Sequence, residues 1–218
     1  MDKTVFDELK DAIIDLDMDK AVELARAGLD DGVNPLEIIN QAIRPGLDLV
    51  GERFSVGEVF LPELILAAKT ADAVIKIIEP ELLKVEGAKD AGLGKVLLVT
   101  VKGDIHDIGK NIVGLVMKSA GFEVIDIGAD KSEEEIFEAA EQNGVAVIGL
   151  SALLTTTMPN MQKTIDYFQE KGARDKYKFI IGGAPITQEF CREIGADGYG
   201  ADAISSVEAT KDLLGIDK

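Results

Sequence analysis

The sequence contains very little cysteine and histidine: one residue of each, Cys191 and His106. A lone cysteine excludes an internal disulfide bond, and one cysteine with one histidine cannot supply the ligands of a Cys/His zinc site. A reducing compartment suits such a chain. Residues 1–13 are charged rather than apolar, and no apolar run reaches the roughly 18 residues of a membrane span, so we expect neither export nor membrane insertion. We therefore expect a cytoplasmic protein.

Positive charge is also scarce. Forty acidic residues against 23 basic ones give a formal net charge of −17. Such a charge repels phosphate backbones and anionic lipids, which argues against nucleic acid and membrane partners. Solubility is the simplest role for the acidic surface. Docking to basic patches on partner enzymes is the alternative.

The first part of the chain has the apolar spacing of helices. Four segments share it: 4–16, 19–30, 35–54 and 60–84. Asn34 is the expected N-cap of the third helix and Pro35 its first residue, and Pro45 is expected to kink or split that helix. Because the connections are short, we expect an antiparallel four-helix bundle.

The second part alternates strands with helices. A stretch of charge and glycine, 86–94, indicates a linker, and we divide the chain into domains 1–88 and 89–218. Four apolar runs predict strands buried on both faces, and a fifth, weaker strand follows: 96–101, 122–128, 145–150, 179–183 and 197–200. Helices are predicted at 109–120, 132–143, 159–171, 187–194 and 202–214, the second opening with the capping box Ser132-x-x-Glu135.

This alternation predicts a doubly wound, parallel, five-stranded α/β sheet, which we expect to have the flavodoxin-like strand order. Ligands of such sheets bind beyond the carboxyl ends of the strands, where the strand order reverses, between the first and third strands. The loops after the first, third and fourth predicted strands are 103–109, 151–157 and 182–185. We expect these three loops to converge on one edge of the sheet.

His106 is the residue in those loops with the most distinctive chemistry. Asp104 can hydrogen-bond one of its ring nitrogens, fix the tautomer and make the other nitrogen a better ligand or base, while Gly109 lets the backbone approach a ligand. The sequence has no G-x-S-x-G nucleophile motif and no phosphate-binding G-x-x-x-x-G-K-[ST] motif. Zinc or non-haem iron sites need more ligands than one imidazole. The remaining candidate is a metal whose other ligands come from a cofactor such as a macrocycle.

The other two loops suit a macrocycle with a nucleotide tail. Ser151, Thr155 and Thr157 offer hydroxyls to a base and its linker, and Gly182-Gly183 leaves room where a side chain would collide. Ordinary turn chemistry is the alternative explanation for both loops.

Together these motifs resemble a known family. Asp104-x-His106-x-x-Gly109, then Ser151-x-Leu153, then Gly182-Gly183 resembles the cobalamin-binding fingerprint of methionine synthase and of the corrinoid proteins of methyl-transfer systems. The segment GERFSVGEVFLPELILAAK, 51–69, resembles the helical cap of the same family. The resemblance covers nearly the whole chain, whose size is similar to that of free-standing corrinoid proteins serving methylamine, methanol, betaine or aryl-ether demethylation.

The resemblance implies a base-off cobalamin whose dimethylbenzimidazole tail is buried in the sheet domain. It implies that His106 is the lower axial ligand of cobalt, with Asp104 behind it and Thr157 at the position of a serine that completes the hydrogen-bonded relay in methionine synthase. Phe54 and Leu61 would cover the upper face of the cofactor. The implied cofactor-binding residues are Gly103, Asp104, Ile105, His106, Asp107, Ile108, Gly109, Ser151, Leu153, Thr155, Thr157, Gly182, Gly183, Ala184, Phe54 and Leu61.

The implied function is that of a methyl carrier. The protein would accept a methyl group onto Co(I) through a substrate-specific methyltransferase. It would pass the group from methyl-Co(III) to a second methyltransferase that serves tetrahydrofolate or a thiol. A reductive activation protein is a further expected partner, and we do not expect turnover by the chain alone. The alternatives are a cobalamin-dependent sensor or regulator, a mutase cofactor subunit and, outside the family, a flavodoxin-like or receiver domain.

Overall fold

A computed structural model describes residues 4–82 and 93–216. The chain divides into two compact units, Met1–Lys84 and Val85–Lys218. The expected domain boundary between residues 88 and 89 lies outside the described residues, as does most of the expected linker 86–94. Helices occupy the described part of the first unit, and alternating strands and helices occupy that of the second.

The four predicted helices of the first unit are present, and the third consists of several pieces. Their bounds are Val5–Ile14 (α1), Met18–Asp30 (α2), Pro35–Ile38 (α3), Arg44–Ser55 (α4) and Leu61–Leu82 (α5), with a π-helical segment, Ile39–Ile43, joining α3 to α4. Helix α2 packs against both α1 and α5. Of the described helices, none has the length and apolar character needed to cross a bilayer.

The third predicted helix shows how Pro45 is accommodated. The Asn34 side chain accepts a hydrogen bond from Leu36 N–H at 2.9 Å and Pro35 is the first helical residue, which confirms the predicted N-cap. Further along, Arg44 N–H donates to the Ile39 carbonyl, five residues back, so the turn before Pro45 is wider than an α-turn. Since proline lacks an N–H and crowds the preceding turn, a local widening is the expected response.

The second unit has the predicted doubly wound architecture. Its parallel strands are Lys95–Thr100 (β1), Glu123–Asp126 (β2), Val147–Ser151 (β3), Lys178–Gly182 (β4) and Gly198–Gly200 (β5), in the order β2-β1-β3-β4-β5. The helices are Ile108–Ser119 (α6), Glu133–Asn143 (α7), Pro159–Glu170 (α8), Gln188–Glu193 (α9) and Ala203–Leu214 (α10). Helix α6 packs with α10, and α7 packs with α8. The flavodoxin-like order is therefore confirmed, with its reversal between β1 and β3.

Burial differs between central and edge strands. Strands β1, β3 and β4 are buried along most of their length, as predicted. The prediction that all four main strands are buried on both faces is wrong for β2, whose residues are partly buried or exposed. Within the sheet formed by the described residues, this strand pairs with β1 alone and lies at the edge.

The core on the α7/α8 side contains a group of aromatic side chains. Phe168 of α8 packs edge-to-face on Tyr177 and Phe179, with ring centroids 5.3 and 5.0 Å apart.

Helix α7 begins with the predicted capping box: Ser132 N–H donates to the Glu135 carboxylate at 2.9 Å, and Glu135 N–H donates to Ser132 Oγ at 3.4 Å.

The strand register brings the three predicted loops together. Thr100 at the end of β1 lies beside Ser151 at the end of β3, and Ser151 lies beside Gly182 at the end of β4. Gly183, the next residue, has a φ of +132°. A Cβ at this position would lie 1.9 Å from the carbonyl oxygen of Ala152. The fold itself therefore requires glycine at position 183.

We expect Gly183→Ala to destabilise the apo protein by about 3 kcal/mol or more, because it adds a backbone collision to an unfavourable φ. The matched control is Gly144→Ala, where φ is +61° and a Cβ would have no neighbour within 4 Å. This control should lose only about 1–2 kcal/mol. Urea unfolding of both variants measures the difference, and equal losses would show that the Ala152 carbonyl imposes no constraint.

Candidate functional site

The side chain of Asp104 is fully buried and accepts hydrogen bonds at both oxygens. Oδ1 lies 3.0 Å from the amide N and 2.7 Å from the ring Nδ1 of His106. Oδ2 accepts from Leu153 N–H at 2.8 Å, from Leu154 N–H at 3.3 Å and from the Thr157 hydroxyl at 2.7 Å. Two separate loops thus meet on one carboxylate.

These contacts determine the charge of Asp104. Burial raises the pKa of a carboxyl group, but here the hydrogen bonds from His106, Leu153 and Thr157 outweigh burial and lower the pKa of Asp104 to about 2. At neutral pH the side chain is therefore a carboxylate, which can only accept hydrogen bonds.

The carboxylate in turn fixes the tautomer of His106. Because Asp104 cannot donate, the ring Nδ1 must carry a proton, and the neutral imidazole keeps its lone pair on Nε2. The side chain of His106 is 47% exposed. Its Nε2 makes no hydrogen bond to the described residues, 4–82 and 93–216. The arrangement therefore presents one oriented nitrogen that can bind a metal.

Two further contacts hold the loop that carries His106. The hydroxyl of Thr100, at the end of β1, donates to the carbonyl of His106 at 3.0 Å. The side-chain amide of Asn160, in the first turn of α8, donates to the carbonyl of Lys102 at 2.6 Å. Both ends of this short loop are therefore tied to regular structure.

Asp130, which the sequence analysis did not select, also holds this loop. It lies between β2 and α7, and its Oδ1 accepts from Gly103 N–H at 2.8 Å, while its own N–H donates to the Asp104 carbonyl at 2.9 Å. Lys102 forms an ion pair with the same carboxylate at 3.1 Å. The available sequence signal was its position: Gly128-Ala129-Asp130 follows a predicted strand at the same edge of the sheet.

A buried lysine is the second feature that the sequence analysis missed. Lys110, in the first turn of α6, is 4% exposed and donates to Asp126 at the end of β2 and to Asn111 Oδ1 at 2.8 Å. Asp126 Oδ1 also accepts from Gly128 N–H at 2.8 Å. The start of α6 is thereby connected to the end of the edge strand. The Gly-Lys pair after His106 was the available signal.

The remaining predicted residues divide between the two units. The sheet edge carries Ile105, Gly109, Leu153, Thr155, Gly183 and Ala184 with exposed positions, and Asp107, Ile108, Ser151 and Gly182 with partly buried ones. Phe54 and Leu61 belong to the helical unit, at the end of α4 and the start of α5, and are 41% and 58% exposed.

Two family models, both described as B12 binding domain, match residues 94–208 and 5–79. A corrinoid protein of Desulfitobacterium hafniense strain Y51 is 41% identical over 97% of this chain and 98% of its own length. The solved monomethylamine corrinoid protein of Methanosarcina barkeri is 33% identical, with a TM-score of 0.83 and 98% of each chain covered. The solved methanol:cobalamin methyltransferase complex of Methanosarcina barkeri matches at 28% identity and a TM-score of 0.52, over 97% of this chain and 80% of that one.

This chain belongs to the family of B12-binding corrinoid proteins. The resemblance identified from the sequence motifs is thus confirmed, and so is the expected cofactor, a cobalamin-type corrinoid.

The geometry of this corrinoid protein suits such a cofactor. One protein nitrogen, Nε2 of His106, is oriented and exposed, and one nitrogen suffices when a macrocycle supplies the other ligands. Gly109 is compatible with a ligand close to the backbone. It is the second residue of α6, and among the described residues a Cβ there would meet nothing within 4 Å, so a ligand could approach this part of the helix.

Loss of the Thr157 hydroxyl should destabilise the apo protein. We expect Thr157→Val to cost about 1.5–3 kcal/mol, because it removes a donor from a buried carboxylate. Thr157→Ser is the matched control, since it keeps the hydroxyl and should retain most of the stability. Urea unfolding of the full chain tests this. A valine variant as stable as the serine variant would contradict the assigned hydrogen bond.

Gly109→Ala should change the stability of the protein and its affinity for the cofactor in opposite directions. We expect the apo protein to gain up to about 1 kcal/mol in unfolding free energy, while corrinoid affinity falls by about tenfold or more because the added methyl occupies ligand space. Gly51→Ala in α4 is the matched control, because a Cβ there also has no neighbour within 4 Å. Absorbance titration with hydroxocobalamin measures the affinity, and unchanged binding in Gly109→Ala would reject this interpretation of the open space.

Proposed function

We propose that this chain is a corrinoid methyl carrier of a multi-component methyltransferase system. It receives a methyl group from a methylated donor through one partner methyltransferase and delivers it through a second one, to tetrahydrofolate or a thiol. The observation that carries the proposal is the oriented and exposed Nε2 of His106, held by the buried carboxylate of Asp104. The relatives named as corrinoid proteins, over nearly the full length of this chain, support it.

We assign His106 as the residue that would bind the cobalt of a corrinoid, through Nε2. When bound, the corrinoid supplies a cobalt atom that accepts and releases a methyl group. Asp104 keeps the proton of His106 on Nδ1 and directs the Nε2 lone pair outward. The hydroxyl of Thr157 donates to the other oxygen of Asp104, which supports our assignment of Thr157 as the third member of the relay. The contacts of Asp104 therefore determine the tautomer and orientation of the imidazole through which His106 would bind cobalt.

We assign the loops around His106 to binding the other parts of the corrinoid. Residues 103–109 include His106 and its neighbours in sequence, and Gly109 leaves open space at the start of α6. The exposed or partly buried residues after β3 and β4 are the candidates to line the space for the nucleotide tail: Ser151, Leu153, Thr155, Gly182, Gly183 and Ala184. Their hydroxyls and backbone groups suit a ligand with both polar and aromatic parts.

We assign Phe54 and Leu61 as apolar residues that would cover the bound corrinoid. Both are large apolar side chains that remain substantially exposed in the helical unit. Apolar side chains over a reactive centre exclude water, and they must move aside when a partner enzyme approaches.

The proposed partners are the enzymes that would carry out the chemistry that we do not expect this chain to perform alone. Because we do not expect turnover by the chain alone, a substrate-specific methyltransferase would activate the methyl donor. The solved neighbour that is a methanol:cobalamin methyltransferase complex supports a partner of this kind. An acceptor methyltransferase and a reductive activation protein complete the proposed system.

The test of the proposed ligand uses isotopes. The full-length protein is labelled uniformly with ¹⁵N, reconstituted with unlabelled hydroxocobalamin and reduced to Co(II). We expect the electron paramagnetic resonance signal to change its nitrogen splitting from a triplet to a doublet relative to unlabelled protein, because the axial nitrogen belongs to the protein. If labelled and unlabelled protein show the same splitting, the coordinating nitrogen belongs to the cofactor's own base, which would contradict the proposal.

His106→Ala provides the matched variant for that experiment. We expect it to lose the protein-derived nitrogen splitting and to recover a nitrogen splitting when free imidazole is added. The recovery controls for misfolding, since it requires an intact site. A variant that keeps the isotope-dependent splitting would exclude His106 as the ligand.

A further inference from the structure

The backbone of Asp130 has an unusual conformation. Its φ is +56°, and among the described residues only one other non-glycine residue, Leu16, also has a positive φ. A non-glycine residue is disfavoured in this region, although aspartate tolerates it better than most residues. Such conformations persist where surrounding contacts hold them.

Those contacts fall on the loop that carries His106. The Asp130 carboxylate accepts from Gly103 N–H, and the Asp130 N–H donates to the carbonyl of Asp104, at 2.8 and 2.9 Å. One residue therefore holds two consecutive residues of the neighbouring loop, the second of which lies two positions before His106. The Gly103 N–H, followed by the Lys102 ammonium group, lowers the pKa of Asp130, so the carboxylate is charged at neutral pH.

The same loop is held on its other side by β3. The Asp104 carboxylate accepts from Leu153 N–H and from the Thr157 hydroxyl, both of which follow β3. Asp104 is thus fixed through its main-chain carbonyl from the β2 side and through its side chain from the β3 side. Displacement of either support would move the carboxylate that orients His106.

We propose that Asp130 is a positioning residue for cobalt ligation, acting through Gly103 and Asp104 to set where Nε2 of His106 lies. The proposal rests on the proposed function, in which His106 binds cobalt. Asp130 itself touches neither the imidazole nor, in this proposal, the cofactor. Its effect would be to limit how far the loop that carries His106 can move.

Three substitutions separate the parts of this role. Asp130→Gly keeps the backbone N–H and suits the positive φ, but it removes the acceptor for Gly103. Asp130→Asn keeps an acceptor oxygen and a residue that tolerates this backbone region. Lys102→Met removes only the ammonium group that pairs with Asp130. Thermal unfolding of each full-length variant establishes that it folds.

The first measurement is amide hydrogen exchange of the apo full-length protein. The amide of His106 is informative because its acceptor is Asp104 and not Asp130. We expect its exchange to accelerate about tenfold in Asp130→Gly, as one hydrogen bond of the loop is lost, while the amide of Leu98 in β1 keeps its rate. Asp130→Asn and Lys102→Met should resemble wild type. Equal acceleration at Leu98 would indicate general destabilisation and overturn the proposal.

The second measurement is the nitrogen splitting of the Co(II) signal after reconstitution with hydroxocobalamin. We expect Asp130→Gly to bind corrinoid but to show the histidine splitting in a reduced share of the signal, and Asp130→Asn to restore it. If wild type shows the splitting and Asp130→Gly shows it undiminished, the Asp130 proposal fails alone. If wild type shows no protein-derived splitting, the assignment of His106 fails, and the positioning role fails with it.

Discussion

The arrangement of the whole site depends on one buried charge, the carboxylate of Asp104. A carboxylate without exposure to water is strongly unfavourable unless hydrogen bonds satisfy both of its oxygens. Asp104 is satisfied at Oδ1 by donors from its own loop and at Oδ2 by donors from the loop after β3, so separation of the two loops would leave Oδ2 without these donors. The same interaction keeps the Asp104 carboxyl ionised and therefore keeps the proton of His106 on Nδ1. The hydrogen bonds of Asp104 thus contribute to the stability of the fold, and they also determine which ring nitrogen of His106 is available as a ligand.

The strand order makes this convergence possible. Leu153 and Thr157 follow Asp104 by 49 and 53 residues, yet they contact it directly because β1 and β3 are neighbours in the sheet. The chain between them forms α6, β2, α7 and β3, and β2 lies on the other side of β1 from β3. As a result the loop after β1 has a neighbour on each side, one carrying Asp130 and one carrying Thr157. A strand at the edge of the sheet would have had only one.

Sequence patterns predicted the parts of this arrangement that depend on local rules. The N-cap at Asn34, the capping box at Ser132 and the alternation of strands and helices follow from hydrogen bonding and periodicity within short windows. The partial burial of β2 depends on its place at the edge of the sheet, which its own apolar residues do not encode. Asp130 and the Lys110–Asp126 pair were missed for a similar reason: an aspartate in a turn and a lysine in a helix have common local explanations, and only the tertiary contacts show what they hold.

The glycines of the fingerprint show why a motif can identify a family before the roles of its residues are known. Gly183 is required by the carbonyl of Ala152, a constraint within the sheet edge that exists whether or not a ligand is bound. Gly109 has no such constraint, because the space around its Cα is open. Gly183 is thus explained by the packing of the fold, whereas the role of Gly109 toward the cofactor belongs to the proposed function. The neighbours that a Cβ would meet therefore show which of these two glycines the fold itself requires.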